Sequence, residues 1–254
     1  MQKILITQCP KKFSEVLPFF CDAIAEAGIV DKVYVMTDAN INLNSLCEVF
    51  VEEDHGLIGN LFRLLEHVPE DCFMLALEDH LLVNPSKEDF NSAWDFFTQN
   101  PKVGFLRLRC SSNVHFLDQN PFSEFSPSDE YYVSFQPAIW KKEYFAYSFR
   151  AEENPWLAEK AAAKRAVQHT FLKSFGSRKI IYNFINCFKA GKYMREEFYN
   201  YLKKKGLIIQ NPKDIYLLKN NEPTIVSFRE YENKRKTTTF TDEYNYMHKT
   251  YKIK

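Results

Sequence analysis

The sequence predicts an α/β fold in which a largely parallel sheet is covered by helices on both faces. Up to residue 110, short apolar runs alternate with segments whose apolar residues recur at helical spacing. Residues 72–83 are apolar nearly throughout, as in a strand that is buried on both faces. Only 7 glycines are present, without a G-x-G-x-x-G or G-x-x-x-x-G-K-[ST] motif, which argues against a Gly-rich dinucleotide fold or a P-loop.

The predicted elements follow one another in a regular order. Strands are predicted at 3–8, 32–38, 47–53, 72–83 and 103–110, and helices at 13–30, 56–68 and 86–100. Ser86 followed by Asp89 is a capping signature that marks the start of the third helix. Residues 111–130 are polar and rich in Ser and Pro, which predicts a long loop. A strand at 131–140, a helix start at 141–149, a helical and basic stretch at 155–205, and a mixed, polar tail complete the chain.

Charge is distributed unevenly, although the formal net charge is +0. Residues 1–159 contain 12 Lys and Arg against 25 Asp and Glu, whereas residues 160–220 contain 14 against 3. We therefore divide the chain into an α/β domain over 1–159 and a basic, helical extension with a polar tail over 160–254. The basic part is either a solvated helical surface or a surface for an anionic partner. No helix-turn-helix or finger signature is present, so no nucleic acid is expected.

The cysteines and the apolar runs bear on the cellular compartment. The six cysteines are scattered through apolar segments and form no C-x-x-C motif, which fits a reducing compartment. The first apolar stretch is too short for a signal peptide, and no run approaches the ~18 apolar residues of a membrane span. We expect a cytoplasmic protein, and basic and aromatic residues in 160–205 add the expectation of peripheral membrane contact.

Three polar side chains interrupt the most apolar run of the sequence. Glu78, Asp79 and His80 directly follow the apolar residues 73–77. If 73–77 is a parallel strand, these side chains lie at its carboxyl end, where open sheets bind ligands. Buried carboxylates need a cation or hydrogen-bond donors, and Mg²⁺ or Mn²⁺ with substrate phosphates would provide this. The alternative is that both acids are structural, capping the following turn or pairing with an arginine.

A second acidic tripeptide, Glu53-Asp54-His55, precedes the predicted helix 56–68. The strand before it is less apolar than 73–77. We interpret Asp54 as an acid that interacts with the helix N-terminus, not as a metal ligand.

The order of motifs resembles a known family. "MTD" ends the second strand, "LALEDHLLV" carries the acidic segment, "GFLRL" is the fifth strand, and "VSFQPAIWKKEYF" and "ENPW" follow. Over residues 1–205 this resembles small bacterial and viral glycosyltransferases of the GT-A fold that build surface polysaccharides. The resemblance implies a Rossmann-like, mostly parallel sheet flanked by helices. It also implies transfer of a sugar from a nucleotide-sugar to a glycan or glycolipid acceptor (EC 2.4).

The resemblance assigns the acidic segment to the donor. In GT-A enzymes a D-x-D motif or a variant at this strand end binds a divalent metal and the nucleotide-sugar diphosphate. It therefore implies that Glu78 and Asp79 face the donor and that Asp79 and His80 bind Mn²⁺ (or Mg²⁺). His80 replaces the last acid, so the alternative remains that Lys or Arg side chains meet the phosphates without a metal.

Four more residues are expected at the donor. The resemblance implies that Thr7 and Asp38, at the ends of the first two strands, hold the nucleoside; the alternative for Asp38 is a turn residue. Arg107 and Arg109 are two apart on one strand and so share a face. They could neutralise the diphosphate or hold the acceptor, and pairing with the acids of the 78–80 segment is the alternative.

The last two motifs are expected to build the acceptor side. Gln136 could hydrogen-bond a sugar hydroxyl, and Trp140 and Trp156 offer flat faces for sugar rings, although aromatic residues more often belong to the core. An inverting transferase needs a general base, and we assign Glu153, with Glu152 as the near-equal alternative. The alternative for both acids is an exposed loop.

Two other functions remain open from sequence. A sugar nucleotidyltransferase usually carries a Gly-rich loop after the first strand, but here that loop is "TQCPKKF", without Gly. The non-enzymatic alternative is a carbohydrate- or nucleotide-binding protein that has kept the fold and lost the chemistry, and the His80 departure keeps it open.

Overall fold

A computed structural model describes residues 2–110, 114–189, 193–206, 215–219 and 222–226. The helices are α1 (Leu17–Ala27), α2 (Gly56–His67), α3 (Lys87–Gln99), α4 (Lys142–Ser148), α5 (Pro155–Gln168) and α6 (Glu196–Lys204), with a 3-10 turn at Lys11–Phe13. The strands of the main sheet are β1 (Ile4–Cys9), β2 (Lys32–Thr37), β3 (Cys47–Val51), β4 (Cys72–Leu75), β6 (Val103–Arg107), β7 (Phe122–Glu124), β8 (Ala138–Lys141) and β9 (Lys173–Ser177). The others are β5 (His80–Leu82), β10 (Phe184–Asn186), β11 (Phe188–Lys189), β12 (Tyr193–Arg195), β13 (Ile215–Lys219) and β14 (Glu222–Val226).

The main sheet has the order β3-β2-β1-β4-β8-β6-β9-β7. β1 pairs in parallel with β2 and β4, and β2 with β3. β8 is antiparallel to both β4 and β6, so β4 and β6 point the same way, and β9 is parallel to β6. β7 adds an antiparallel edge strand. The predicted α/β class with a mostly parallel, helix-flanked sheet is confirmed.

Local chemistry explains where the helices begin and end. The Ser86 hydroxyl accepts a hydrogen bond from the Asp89 N–H at 3.3 Å, which confirms the predicted cap of α3. α1 ends at Gly28, whose φ of 57° lies in the left-handed region that glycine adopts without strain. α2 begins at Gly56, directly after the Asp54-His55 pair.

The chain divides into two compact units, Met1–Ile185 and Asn186–Lys254. In the second unit, β11 and β12 are antiparallel, β12 and β13 are parallel with α6 between them in sequence, and β14 pairs antiparallel with β13. The predicted boundary at 159/160 falls inside α5. The first compact unit continues past it, through β9, to Ile185. As a division of function that boundary stays a prediction.

Several details differ from the predicted elements. The predicted strand 72–83 is interrupted, because β4 ends at Leu75 and β5 begins at His80 in a separate sheet. The stretch 155–205 is helical in α5 and α6, but β9 to β12 lie between them. The predicted strand 131–140 is extended as a strand only from Ala138, because the preceding residues form a loop. The predicted loop 111–130 contains the short edge strand β7, and residues 207–214 and 227–254 of the polar tail lie outside the described residues.

The core on one face of the sheet is dominated by aromatic side chains. Trp140 is fully buried, with its ring centroid 4.4 Å from that of Phe105 and 5.3 Å from that of Phe145. Gly104 lies where an added Cβ would come within 2.6 Å of the Tyr144 ring, so glycine permits the close packing of α4 on β6.

Candidate functional site

The predicted donor residues lie at one end of the main sheet, where its parallel strands finish. β1, β2, β4 and β6 point the same way, so their carboxyl ends face the same side. Thr7 lies in the second half of β1, Asp38 follows β2, the 78–80 segment follows β4, and Arg107 ends β6. Thr7 is fully buried, and its hydroxyl has no hydrogen-bond partner within the described ranges.

Asp38 holds the loop that follows β1. Its Oδ1 accepts a hydrogen bond from the backbone N–H of Lys11, in the 3-10 turn. The adjacent Thr37 hydroxyl accepts from the Ala39 N–H at 3.2 Å. The exposed Asp38 carboxylate therefore fixes the position of the neighbouring Lys11 and Lys12 at the strand ends.

Glu78 is buried and chemically unusual. Only 6% of its surface is exposed, and burial, reinforced by the nearby Asp79 charge, raises the pKa of its carboxyl to about 8. The Lys12 ammonium opposes that rise. At neutral pH the Glu78 side chain therefore carries a proton, so it can donate a hydrogen bond to an anion, and it is a weak ligand for a cation.

His80 opens β5 and is also buried, with 6% of its surface exposed. Burial lowers the pKa of its imidazole; the Asp79 carboxylate opposes this shift, and the Arg109 guanidinium adds to it more weakly. Its Nε2 lies 3.8 Å from Asp79 Oδ1, and its ring packs on Phe184 at 4.3 Å. Its Nδ1 has no hydrogen-bond partner in the part of the chain that the structure describes.

The two arginines have different surroundings. Arg109 is half-buried; its Nη1 donates to the Phe184 carbonyl at 3.1 Å, and its guanidinium lies 4.4 Å from the Phe184 ring centroid. Arg107 is 4% exposed, and its Nη2 donates to the Tyr131 carbonyl. Arg109 therefore borders the 78–80 segment through His80 and Phe184, whereas Arg107 anchors the loop before β8.

Sequence reasoning missed a buried polar network beside β1. Asn60 of α2 donates from Nδ2 to Gln8 Oε1 at 3.1 Å and to Asp54 Oδ1 at 2.9 Å, and its Oδ1 accepts from the His55 N–H at 2.8 Å. Asp54 Oδ1 also accepts from the Gly56 N–H at 2.9 Å, which confirms its interpretation as a helix N-terminal acid. An amide on the apolar face of α2 was the signal that could have revealed this network.

The two candidate bases differ in how far they are engaged. Glu153 Oε2 accepts from Arg165 Nη2 at 2.6 Å and from the Arg150 N–H at 3.1 Å, so it fixes the loop between α4 and α5. Glu152 is exposed. The same loop approaches α2, since a Cβ added at Gly59 would lie 3.6 Å from the Ala151 carbonyl oxygen.

Of the predicted acceptor residues, Gln136 and Trp140 have different surroundings. Gln136 is half-buried in the loop before β8, and its N–H donates to the Ser134 hydroxyl at 3.4 Å. Trp140 is enclosed by core aromatic rings, so this placement does not support a contact with acceptor. The side chain of Trp156 lies outside the described residues.

A cavity of about 480 Å³ lies elsewhere, at the amino ends of β2 and β3. It is lined by Asp31, Lys32, Ser45, Leu46, Cys47 and Glu48. None of these residues was predicted to be functional, and the carboxyl-end residues described above lie at the opposite edge of the sheet.

Comparison with known proteins finds similar folds among solved structures but no similar sequence. No protein-family model and no curated protein sequence matches this chain. Among solved structures, the mannosyltransferase PcManGT from Pyrobaculum calidifontis, in complex with GDP-Man and Mn²⁺, aligns with a TM-score of 0.53 at 12% identity. The alignment covers 80% of this chain and 60% of that one. S. aureus TarS 1-349 in complex with UDP-GlcNAc gives 0.52 at 14% identity, covering 80% and 65%.

This chain has the GT-A fold. At these identities the comparisons establish the architecture of the GT-A sheet alone. The chain also spans only about 60% of the length of the mannosyltransferase structure.

The divalent cation expected of the GT-A site can be tested against the residues at hand. No group of three or more His, Cys, Asp or Glu side chains that could hold a metal occurs among the described residues. Asp79 fits a metal that takes its remaining ligands from phosphates, because its carboxylate is partly exposed. His80 fits less well, because a metal-binding imidazole normally donates its other N–H to a fixed partner, and Nδ1 has none in this part of the chain.

Proposed function

We propose that this protein is a glycosyltransferase that moves a sugar from a nucleotide-sugar to a glycan or glycolipid acceptor. The carrying observation is the 78–80 segment at the carboxyl end of β4, next to Lys12 and Arg109, in a GT-A sheet. A buried neutral acid and two cations suit an anionic ligand. The complexes of similar folds with GDP-Man and UDP-GlcNAc support a nucleotide-sugar as that ligand.

We assign the donor contacts by chemistry. The Glu78 hydroxyl donates to a phosphate oxygen, and Lys12 and Arg109 balance the diphosphate charge. Thr7, a buried residue in the second half of β1, and Asp38, which follows β2, hold the nucleoside. We do not retain Arg107 as a donor ligand, because it is buried against the Tyr131 carbonyl.

We propose Mn²⁺ (or Mg²⁺) as cofactor, held by Asp79. His80, the second ligand expected from sequence, is the weaker candidate, because its Nδ1 has no fixed partner among the described residues. A bound divalent cation would stabilise the charge that develops on the leaving nucleoside diphosphate. Lys12 and Arg109 offer the metal-independent alternative, since they place positive charge at the same strand end.

For the chemical step we propose an inverting displacement. Glu152 removes the proton of the acceptor hydroxyl as that oxygen attacks the anomeric carbon, and the bond from that carbon to the diphosphate oxygen breaks. We prefer Glu152 to Glu153, because Glu153 Oε2 is already engaged by Arg165 and Arg150. Gln136 and Trp156 remain proposed acceptor contacts.

The proposed setting is the cytoplasm, with peripheral membrane contact through the basic region 160–205. Exposed lysines at 203–205 would favour an anionic surface. None of the helices in the described part of the chain is both long and apolar enough to cross a membrane.

The experiment is a panel of UDP-, GDP-, CMP- and dTDP-sugars, assayed for hydrolysis and transfer with Mn²⁺ and with EDTA. We expect at least one donor to be consumed, with nucleoside diphosphate released. Binding of nucleoside diphosphate without turnover would instead favour the inactive binding protein. Release of pyrophosphate from a nucleoside triphosphate and a sugar phosphate would favour a nucleotidyltransferase, and no binding across the panel would contradict the proposal.

A further inference from the structure

Tyr131 is an exposed aromatic residue on a fixed backbone. Tyr131 exposes 42% of its surface to solvent. Its N–H donates to Asp129 Oδ1 at 2.9 Å, and its carbonyl accepts from Arg107. The next ring, that of Tyr132, is buried, and its hydroxyl accepts from the Ser174 N–H at 3.3 Å. The loop is thus held on both sides of a ring that points to solvent.

Asp129 and Arg107 hold this loop. Asp129 also accepts from the His115 N–H at 3.3 Å through its Oδ2. Arg107 is 4% exposed and its guanidinium lies 4.8 Å from the Phe125 ring centroid. Burying a cation costs free energy, so loss of the Tyr131 carbonyl contact would leave the Arg107 charge without this partner. A fixed, exposed ring loses little conformational entropy when a ligand binds to it.

Tyr131 lies beside an ion pair that involves α5. Glu130 forms an ion pair with Lys160 of α5, and Tyr131 lies near the same ammonium. Leu157, one turn earlier on α5, is 71% exposed. Tyr131 also sits beyond the carboxyl end of β6, because the end residue Arg107 donates to its carbonyl.

We propose that the Tyr131 ring is the stacking platform for a sugar ring of the acceptor, with Arg107 and Asp129 as positioning residues. This inference rests on the proposed function, whose acceptor side it makes specific. The apolar C–H face of a pyranose packs on the flat ring, and its hydroxyls reach Glu130 and Lys160. Tyr131 thereby takes the role that sequence had given to the buried Trp140.

Saturation-transfer NMR tests the platform with a panel of methyl glucoside, galactoside, mannoside and N-acetylglucosaminide. We expect saturation of the apolar-face protons of at least one glycoside in the unmodified protein and in Tyr131→Phe. In Tyr131→Ala we expect affinity to fall about 2- to 10-fold, the equivalent of one aromatic contact. Tyr147→Ala is the matched control, since Tyr147 is 39% exposed on α4, and it should change nothing.

The positioning role has its own readout. Asp129→Ala should reduce saturation as Tyr131→Ala does, and Asp129→Asn should restore it, because an amide oxygen still accepts from the Tyr131 N–H. Thermal unfolding of each variant shows whether it is folded. No saturation of any glycoside by the unmodified protein, or equal saturation by Tyr131→Ala, overturns the platform.

Calorimetric titration with the panel's nucleotides separates this failure from failure of the proposed function. If at least one nucleotide binds and Tyr131→Ala leaves glycoside saturation unchanged, the platform alone is wrong. If none of the panel's nucleotides (UDP, GDP, CMP and dTDP) binds while saturation depends on Tyr131, the transferase proposal fails and the platform stands as a carbohydrate site.

Discussion

Glu78 carries a proton in the folded protein because water is excluded from its carboxyl. Its pKa is about 8 in the folded chain, against an ordinary value of 4.5. Between these values the folded state binds more protons than the unfolded state. The free energy of unfolding therefore falls as pH rises from about 4.5 to about 8, by up to about 1.4 kcal/mol per pH unit.

We expect Glu78→Gln to flatten this pH dependence and to be more stable than the unmodified protein above about pH 8, because the amide cannot ionise. Urea unfolding between pH 5 and about pH 9, with EDTA present, measures it. Glu88→Gln, at an exposed position of α3, is the control and should leave the slope unchanged. Parallel profiles for Glu78→Gln and the unmodified protein would show that Glu78 ionises normally.

Asp79 is the half-exposed acid of the same segment. We expect Asp79→Asn to weaken UDP or GDP binding in Mn²⁺ by more than about tenfold, because the cation loses its carboxylate ligand. Asp71→Asn, just before the amino end of β4, is the control. Calorimetry with and without EDTA measures both. Equal affinities in Mn²⁺ and EDTA would favour Lys12 and Arg109 as the phosphate partners.

Substitutions of Glu152 and Glu153 should have different effects, the first on sugar transfer and the second on stability. We expect Glu152→Gln to abolish transfer with an unchanged melting temperature. Glu153→Gln should lower the free energy of unfolding by about 0.5–1.5 kcal/mol, since its ion pair with Arg165 is only partly buried. Donor turnover and thermal unfolding measure the two effects. Loss of transfer in Glu153→Gln alone would return the base to Glu153.

At the scale of elements, the contact between β6 and α4 leaves no room at Gly104. A Cβ there would lie 2.6 Å from the buried Tyr144 ring, whose hydroxyl also contacts Ser174 at 3.2 Å. We expect Gly104→Ala to destabilise the protein by about 1–3 kcal/mol through overpacking. Urea unfolding measures this change. An unchanged or higher free energy of unfolding would mean that the α4–β6 contact is looser than described.

Elements with strong apolar patterns could be predicted, and weakly patterned ones could not. β4 follows from its apolar run, but the turn at Glu78 and Asp79 that separates it from β5 was predicted as part of one strand. β7 and β9 are short and contain Ser, Gly or Glu, so they resemble loop or helix when they are considered without their neighbours in the sheet. Their strand conformation depends on long-range pairing, which local propensity does not report.

In the candidate site, too, some features could be predicted from sequence and others could not. The carboxyl-end position of Asp38 and Glu78 follows from strand order, which sequence can predict. The burial of Trp140 and the exposure of Tyr131 depend on which loop covers which strand, and both residues are aromatic, so sequence does not distinguish them. The Gln8–Asn60 bond joins residues 52 apart in sequence, and no local pattern encodes it.

For the whole molecule, the proposed donor residues at the carboxyl ends of β1, β2 and β4 and the loop that carries Tyr131 belong to one compact unit, Met1–Ile185. Polar residues lie at both ends of the strands. Glu78 and Lys12 lie at the carboxyl ends, and the cavity beside Lys32 and Glu48 lies at the amino ends. Of these two regions, the carboxyl ends carry Glu78, whose pKa is raised by burial. The proposed function therefore depends on nucleotide binding at the carboxyl ends.

A crystal structure of the protein with UDP or GDP and Mn²⁺ tests this most directly. We expect the diphosphate within hydrogen-bonding distance of Glu78 and Lys12, at the carboxyl end of β4. A nucleotide bound in the cavity beside Lys32, or a protein that takes up none of UDP, GDP, CMP and dTDP, would contradict it.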